Sequence, residues 1–385
     1  MPPEASSAPL RELGPGGQLL ELAGGRALVA DWDACWLDGK RIDALSQWSA
    51  LVEAGRLEDV NGAFALAWRA GDELRLSRGA IGVRALYYAQ LPHGWIFAST
   101  IHALLASGLV PRQLNLRGVA TYLSYAYLPG DETLVEGVRE VLPGEVVHLP
   151  LAGGKTRYEQ FWSVPAEVDT SAELSPAREE ELRQRLRQEL EGAVSRRLPA
   201  GERVGVFLSG GLDSSLVVAL AKRLHDQEVL TWSVSFGAEY RNELPFSTLV
   251  AEHCGTTHRV VELAPRVILR HLDETIALHS DPIGDPLTVP NSLLFREAGA
   301  EVGVVLNGEG GDPCFGGPKN LPMLLAELYG SRPRRRNVRR PRVPDAPRGR
   351  RGARRRPGRS HRPWSPARPT PPSDRACGGL KPALH

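Results

Sequence analysis

The 385 residues lack most of the features that mark out a protein class at sight. The four cysteines, Cys35, Cys254, Cys314 and Cys377, are scattered and form no Cys-x-x-Cys pair. That argues against a zinc centre or a disulfide framework and fits a reducing compartment. Cys254 and Cys314 read as half-buried, ordinary thiols. No apolar run approaches the roughly 20 residues needed to cross a bilayer. The N-terminus, MPPEASSAPLRELG, has acidic residues and no long apolar stretch, so no secretory signal is expected and the chain reads as cytoplasmic. Lysine is missing where the common phosphate loop would carry it, since no Gly-Lys-Ser/Thr follows the glycines at 210 and 211. A uniform charge is missing too. Residues 331–385 hold 17 Arg and one Lys against two Asp, a net of +16 in a chain whose whole balance is +2. That leaves −14 for residues 1–330, so the bulk balance says nothing of nucleic-acid binding by the folded part.

What is present centres on Arg203–Ser215, RVGVFLSGGLDSS. Val204–Leu208 is a short apolar run bounded by turn signals, the pattern of a buried parallel strand. Ser209-Gly210-Gly211 is a tight turn with two residues lacking Cβ, which lets backbone approach a ligand closely. Asp213-Ser214-Ser215 then opens a helix. A strand-to-helix turn of this kind presents backbone N–H groups and a positive dipole end to an anion. Asp213 at its centre makes sense only beside a cation, and a carboxylate next to phosphate oxygens suits Mg²⁺.

From this point strand and helix patterns alternate. Strands are expected at Leu230–Phe236, His258–Leu263 and Gly303–Leu306, and helices near 214–224, 243–254, 266–279 and 290–300. This is the signature of a doubly wound parallel sheet, whose ligands bind beyond the C-terminal strand ends. The turn at 209–211, Phe236-Gly237, Asp281–Pro286 and Asn307–Asp312 all leave such ends. In the last of these, Glu309 and Asp312 lie three apart in a Gly-rich turn. DPIGDP at 281–286 is equally readable as turn-making or as substrate contact, and His279 as a helix end. A charged helix over 171–192, with Leu182, Leu186 and Leu190 at i, i+4 spacing, bridges from the preceding domain.

Residues 1–165 read as a β-rich domain. Ala27–Trp36 is a strand, Asp43–Ala54 a helix, Ala63–Trp68 and Leu74–Ser77 a hairpin, and Val83–Gln90 and Trp95–Ser99 a second hairpin. Helices are expected from Ile101 and from Asn115, and closing strands at Gly144–Pro150 and Arg157–Trp162.

SGGLDSS resembles the pyrophosphate loop of the ATP pyrophosphatase families. NGEGGDPCFGG resembles the SGEGxDExFGG segment of the asparagine synthetases, with Pro313 where Glu is usual. VNGAFALAW, SRGAIGVRALYYA, FASTIHALL and VLPGEVVHL resemble the glutaminase-type domain of the same family. The resemblance implies an α/β chain in three parts. An Ntn-hydrolase-like αββα sandwich occupies 1–165 and an ATP-pyrophosphatase domain of adenine nucleotide alpha hydrolase type occupies 166–330. A disordered basic tail fills 331–385. It further implies an ATP-dependent ligase that activates a carboxylate as an acyl-adenylate and passes it to an amine, as asparagine synthetases, β-lactam synthetases and peptide cyclases of this family do. The cofactors implied are ATP and Mg²⁺. Ser209, Gly210, Gly211, Ser214 and Ser215 would hold pyrophosphate. Leu208, Val234, Asn307 and Gly308 would line the nucleotide, Asp213 and Asp312 would bind the metal, and Glu309 with Asp312 would serve the chemistry. The partners implied are aspartate or an analogue, ammonia or an amine, and a second copy in a homodimer, with neither membrane nor nucleic acid.

Two departures from the family qualify this. Its glutaminase nucleophile is a cysteine at residue 2, where this chain has Pro2, and Cys35 falls inside a predicted strand, so no glutamine hydrolysis is expected. After about Gly330 the sequence becomes rich in Arg, Pro and Gly, with few large apolar residues. Such a segment cannot bury a core. It reads either as a basic disordered arm or as out-of-frame translation of a truncated or frameshifted member.

Overall fold

The computed structural model describes residues 17–22, 26–164, 175–240 and 243–315, with the strand course alone for 17–22 and 26–27. The expected disorder of 331–385, Pro2 and the first residues of the charged helix lie outside the described residues. The chain divides into Met1–Leu325 and Ala326–His385, and the description belongs to the first unit.

The N-terminal half contains β1 (Gly17–Leu22), β2 (Arg26–Leu37), β3 (Lys40–Arg41), α1 (Leu45–Ala54), β4 (Asn61–Ala70) and β5 (Glu73–Arg78). It continues with β6 (Tyr87–Leu91), β7 (Gly94–Ala98), α2 (Ile101–Ala106), α3 (Leu116–Tyr125), β8 (Val138–Glu140), β9 (Glu145–Pro150) and β10 (Arg157–Gln160). One antiparallel sheet runs β1-β2-β4-β5-β9-β10, with β3 paired to β2, and a second runs β7-β6-β8. Alternation along the strands decides the layers. Ala65, Ala67, Leu76, Val147 and Leu149 of the large sheet face Leu86 and Tyr88 on the small one. The opposite face of the large sheet, with Leu28, Phe64 and Leu66, packs on Trp48 and Leu51 of α1. The outer face of the small sheet, with Tyr87 and Ala89, packs on Ile101 and Leu104 of α2. The order helix, sheet, sheet, helix is the expected αββα sandwich.

The second hairpin starts later than the periodicity suggests. β6 begins at Tyr87, not Val83, because Gly79–Leu86 wraps the Arg78 guanidinium. Arg78 donates to the carbonyls of Gly82 (2.5 Å), Arg84 (2.6 Å) and Val141 (2.6 Å) and pairs with Glu140 at 2.7 Å. Those carbonyls are turned to a cation instead of a neighbouring strand, and Val83 is left exposed.

The second half contains α4 (Pro176–Ser195), β11 (Val204–Phe207), α5 (Leu212–Leu224), β12 (Val229–Ser235), α6 (Leu244–Cys254), β13 (Thr257–Glu262), α7 (Pro265–Leu278), α8 (Thr288–Gly299), β14 (Val305–Leu306) and α9 (Gly311–Phe315). All four strands are parallel, in the order β13-β12-β11-β14. The chain steps outward from β11 to β12 to β13 and then returns to the other side of β11. The switch point of the sheet therefore lies between β11 and β14, where doubly wound folds bind ligands. Val206, Leu208 and Val218 with Ala221 fill one face, and Leu230, Trp232, Leu294 and Ala298 the other.

Candidate functional site

The two Gly-rich turns leave the C-terminal ends of β11 and β14, adjacent strands in register at Gly205↔Val305 and Val206↔Leu306. The first turn folds on its own hydroxyls. Ser209 N–H donates to Ser214 Oγ (3.2 Å), Gly211 N–H donates to Ser209 Oγ (3.2 Å), and Ser215 Oγ donates to the Gly211 carbonyl (2.6 Å). Ser209 Oγ and Ser214 Oγ are 3.0 Å apart. Gly210 takes φ +90°, and a Cβ there would lie 2.9 Å from Ser247 N of α6. Gly211 is the N-cap of α5, so the amides of Leu212, Asp213 and Ser214 form a first turn without helical acceptors. Lys222 and Arg223 in the last turn of α5 oppose its dipole.

The second turn closes on the first. A Cβ on Gly308 would lie 2.7 Å from Ser214 N, and one on Gly311 would enter the Asp213 carboxylate. Both contacts require the missing side chain. Asp312 follows Gly311, so Asp213 and Asp312 belong to the same end of the sheet, on loops that touch. Asn307 Oδ1 accepts the Glu309 N–H at 3.1 Å, which shapes the turn. Glu309 is exposed, Asp312 half-buried, and Pro313 sits in the first turn of α9, where its lost N–H costs least.

The nucleotide-lining candidates divide. Leu208 is 1% exposed, its N–H donates to Trp232 O (2.8 Å) and its carbonyl accepts the Ser233 hydroxyl. Val234 is half-buried and packs with Val261 against α8. Ser233, which the motifs do not single out, touches the start of the Gly-rich turn through Leu208; its signal in the sequence is the alternation of hydroxyls in LTWSVSF. DPIGDP lies in the loop before α8. Asp281 Oδ1 accepts Leu134 N–H (3.3 Å) and Asp285 Oδ1 accepts Leu287 N–H (2.8 Å), so both carboxylates work as turn and docking groups. His279 is the C-cap of α7.

Among the described residues no three His, Cys, Asp or Glu side chains gather into a metal-ligating group. The donor set still suits Mg²⁺, which takes one or two carboxylates and completes its octahedron with phosphate oxygens and water. Cys35 lies in β2 at a bulge between Asp33 and Trp36, fully buried, with Sγ 3.3 Å from the Ala63 carbonyl. Burial pushes its thiol up to about 12, so it supplies no thiolate nucleophile. Cys254 is half-buried, as expected. Cys314 is not: it is exposed, because the short helix α9 presents no buried face.

The fold and site define a class: an ATP-pyrophosphatase-type α/β domain preceded by an Ntn-type amidotransferase sandwich. Family models agree. Residues 45–162 match the glutamine amidotransferase domain and 185–371 match asparagine synthase. The chain thus matches both an amidotransferase model and an asparagine synthase model, in that order. The second match continues past Gly330, where the motif resemblance ends, into residues outside the described ones.

A Mycobacterium tuberculosis relative, named provisionally as a glutamine-hydrolysing asparagine synthetase, is 32% identical over 66% of this chain and 39% of its own. The glutamine-hydrolysing asparagine synthetase 1 of Bacillus subtilis is 28% identical over 67% of this chain and 40% of its own. Carboxyethyl-arginine beta-lactam-synthase of Streptomyces clavuligerus is 30% identical over 67% and 47%. The chain thus spans less than half the length of these curated relatives.

Proposed function

We propose that this chain is an ATP-dependent amide-forming ligase of asparagine-synthetase type. The observation that carries the reading is the closure of the two turns across the switch point, with Gly308 against Ser214 and Gly311 against Asp213. That arrangement brings the first-turn amides of α5 and the Asp213 carboxylate against the turn that carries Glu309 and Asp312. In the proposed reaction a substrate carboxylate attacks the α-phosphorus of ATP. The new bond joins carboxylate oxygen to phosphorus, the α–β bridging bond breaks, and pyrophosphate leaves. An amine then attacks the acyl carbon and AMP departs with the carboxylate oxygen.

The first-turn amides of α5, with Ser209, Gly210, Gly211, Ser214 and Ser215, would grip the leaving pyrophosphate, and this positioning lowers the barrier. Asp213 and Asp312 would hold Mg²⁺, which supplies charge neutralisation at phosphate oxygens. Leu208 would act through its backbone, setting the start of the loop, while Val234, Asn307 and Gly308 would border the nucleotide. Glu309, exposed on the second turn, would steer or deprotonate the amine, with Asp312 three residues on. The acceptor reading is aspartate with ammonia. The match to a β-lactam synthase supports a second one, an amine within the activated molecule. A cytoplasmic setting and a homodimer complete the proposal.

Exchange of labelled pyrophosphate into ATP, run with aspartate, β-amino acids and peptide acids and followed by product mass, tests this. Acid-dependent exchange is expected, and Asp213→Ala is expected to abolish it. No exchange with any acid would overturn the ligase reading, and an ATP-binding measurement would then separate a nucleotide-binding remnant from a chain that binds none.

A further inference from the structure

β12 is covered on both faces, by α5 and α6 on one side and α8 on the other. Strands so placed are expected to be apolar throughout. Here only one face is: Leu230 and Trp232 pack toward α8, while Thr231, Ser233 and Ser235 put three buried hydroxyls on the opposite face. Buried hydroxyls cost stability unless bonded. Ser235 accepts the Gly237 N–H at 3.2 Å, and the partners of the other two form a chain from β13 and the residue before it to Leu208, just past β11. Thr231 Oγ1 lies 3.0 Å from Thr256 Oγ1 and 2.9 Å from His258 Nδ1, its neighbour in register on β13. His258 Nε2 lies 3.4 Å from Ser233 Oγ, and Ser233 donates to the Leu208 carbonyl.

The proton count fixes the direction. Ser233 has one hydroxyl proton, spent on Leu208, so its oxygen can only accept from His258. Nε2 then carries the proton of the neutral ring and Nδ1 accepts from Thr231. Burial lowers the His258 pKa, which favours that neutral ring.

Leu208 is the last core residue before the Gly-rich turn. The peptide joining it to Ser209 is held at both ends, its carbonyl by Ser233 and its N–H by Ser214 Oγ at 3.2 Å. We propose that Ser233, oriented by His258 and Thr231, is a positioning residue for the pyrophosphate loop. It locks the Leu208–Ser209 peptide and so sets the direction in which the first amides of α5 meet their anion. The inference rests on the reading of this loop as a pyrophosphate site.

Titration calorimetry of the full chain with inorganic pyrophosphate and, separately, with AMP, both with Mg²⁺, tests it. Ser233→Ala is expected to weaken pyrophosphate about tenfold, the effect of one hydrogen bond, and to leave AMP within about twofold. His258→Leu is expected to follow it, and His258→Gln, which keeps an N–H donor, to recover most of the loss. Ser247→Ala removes another fully buried hydroxyl on the same face, one bonded to the Leu244 carbonyl (3.1 Å), and is expected to leave pyrophosphate binding unchanged. If Ser233→Ala does not fold, Ser233→Cys, nearly the same shape with a weaker donor, carries the same expectation. Unchanged pyrophosphate affinity in the Ser233 variant overturns the proposal. So does an equal fall for AMP and pyrophosphate that tracks thermal stability, because that is the mark of a merely structural hydroxyl. Failure of the wild-type chain to bind either ligand would instead strike the reading beneath it, and this inference with it.

Discussion

At the scale of single residues, the site depends on atoms that are missing as much as on those present. Gly311 lies so close to the Asp213 carboxylate that one methyl group would displace it. Gly311→Ala should therefore shift Asp213 while disturbing little else, since α9 buries nothing. The expected result is a loss of pyrophosphate exchange of at least tenfold, with a melting temperature within about 2 °C of wild type. Full retention of exchange would mean the two loops need not touch. The thiols give a second residue-scale prediction. Cys35 is sealed in β2 with its thiol pushed up to about 12, whereas Cys314 is exposed. Brief iodoacetamide treatment at about pH 8, where an ordinary thiol is partly ionised, followed by peptide mapping, should label Cys314 and leave Cys35 unmodified until denaturant is added. Early labelling of Cys35 would contradict a closed strand at the bulge.

At the scale of elements, β10 is tied to β9 and β5 by an ion cluster. The buried His148 places Nδ1 3.2 Å from Glu73 and Nε2 3.1 Å from Glu159, and Arg157 Nη2 lies 2.7 Å from Glu73. Arg157, and then His148, hold the Glu73 carboxyl down to about 2. A carboxyl depressed on folding stabilises fully above its ordinary value, near 4.5, and that stability is lost as pH falls through about 2. Glu73→Gln is thus expected to cost about 1–2 kcal/mol at neutral pH, with the two melting curves converging as the buffer is taken from about pH 4.5 toward 2. A constant gap would show that the charge is not what matters. α1 and α5 were legible in the sequence because each buries one continuous face, and β4 and β5 because each is a short apolar run closed by a turn signal. The start of β6 was not, because a single guanidinium at Arg78 captures the backbone of residues 79–86, and no local pattern announces that. The two site loops were legible as motifs, since glycines in fixed order state the need for close approach. The buried polar chain beneath them was legible only as an oddity, hydroxyls in a strand that should have been apolar; the topology alone brings Thr231 to His258 of β13 and Ser233 to Leu208, just past β11.

At the scale of the whole described molecule, the two domains meet through the loop that the sequence left open between turn and substrate contact. Ser280 Oγ accepts the Ile101 N–H at 3.1 Å, Asp281 accepts Leu134 N–H, and Gly284 N–H donates to the Ala126 carbonyl at 2.7 Å. Arg197 adds its guanidinium 5.4 Å from the Trp36 ring centre. These are mostly backbone groups matched to short polar side chains, which explains why composition gave no sign of them. Glu140, paired with Arg78 inside the N-terminal half, lies near enough to this loop to feel the Asp281 charge. Burial pushes the carboxyls of both Glu140 and Asp281 up, and the Asp281 charge raises Glu140 further. An acid whose pKa rises on folding binds its proton more tightly in the folded state. The associated stability is present at low pH and is lost as pH rises through the raised value. The full chain should therefore melt higher at about pH 5 than at about pH 7, the range just above ordinary carboxyl values. Combining Glu140→Gln with Asp281→Asn, which removes both charges but keeps an oxygen for Leu134, should flatten that slope. Ser280→Ala with Asp281→Ala removes the two side-chain bonds and leaves only the Gly284–Ala126 backbone bond of this loop. Its calorimetric trace should split into two transitions as the domains unfold separately. A single transition in that variant, at the wild-type temperature, would mean that the domains are joined by something other than these two side-chain bonds.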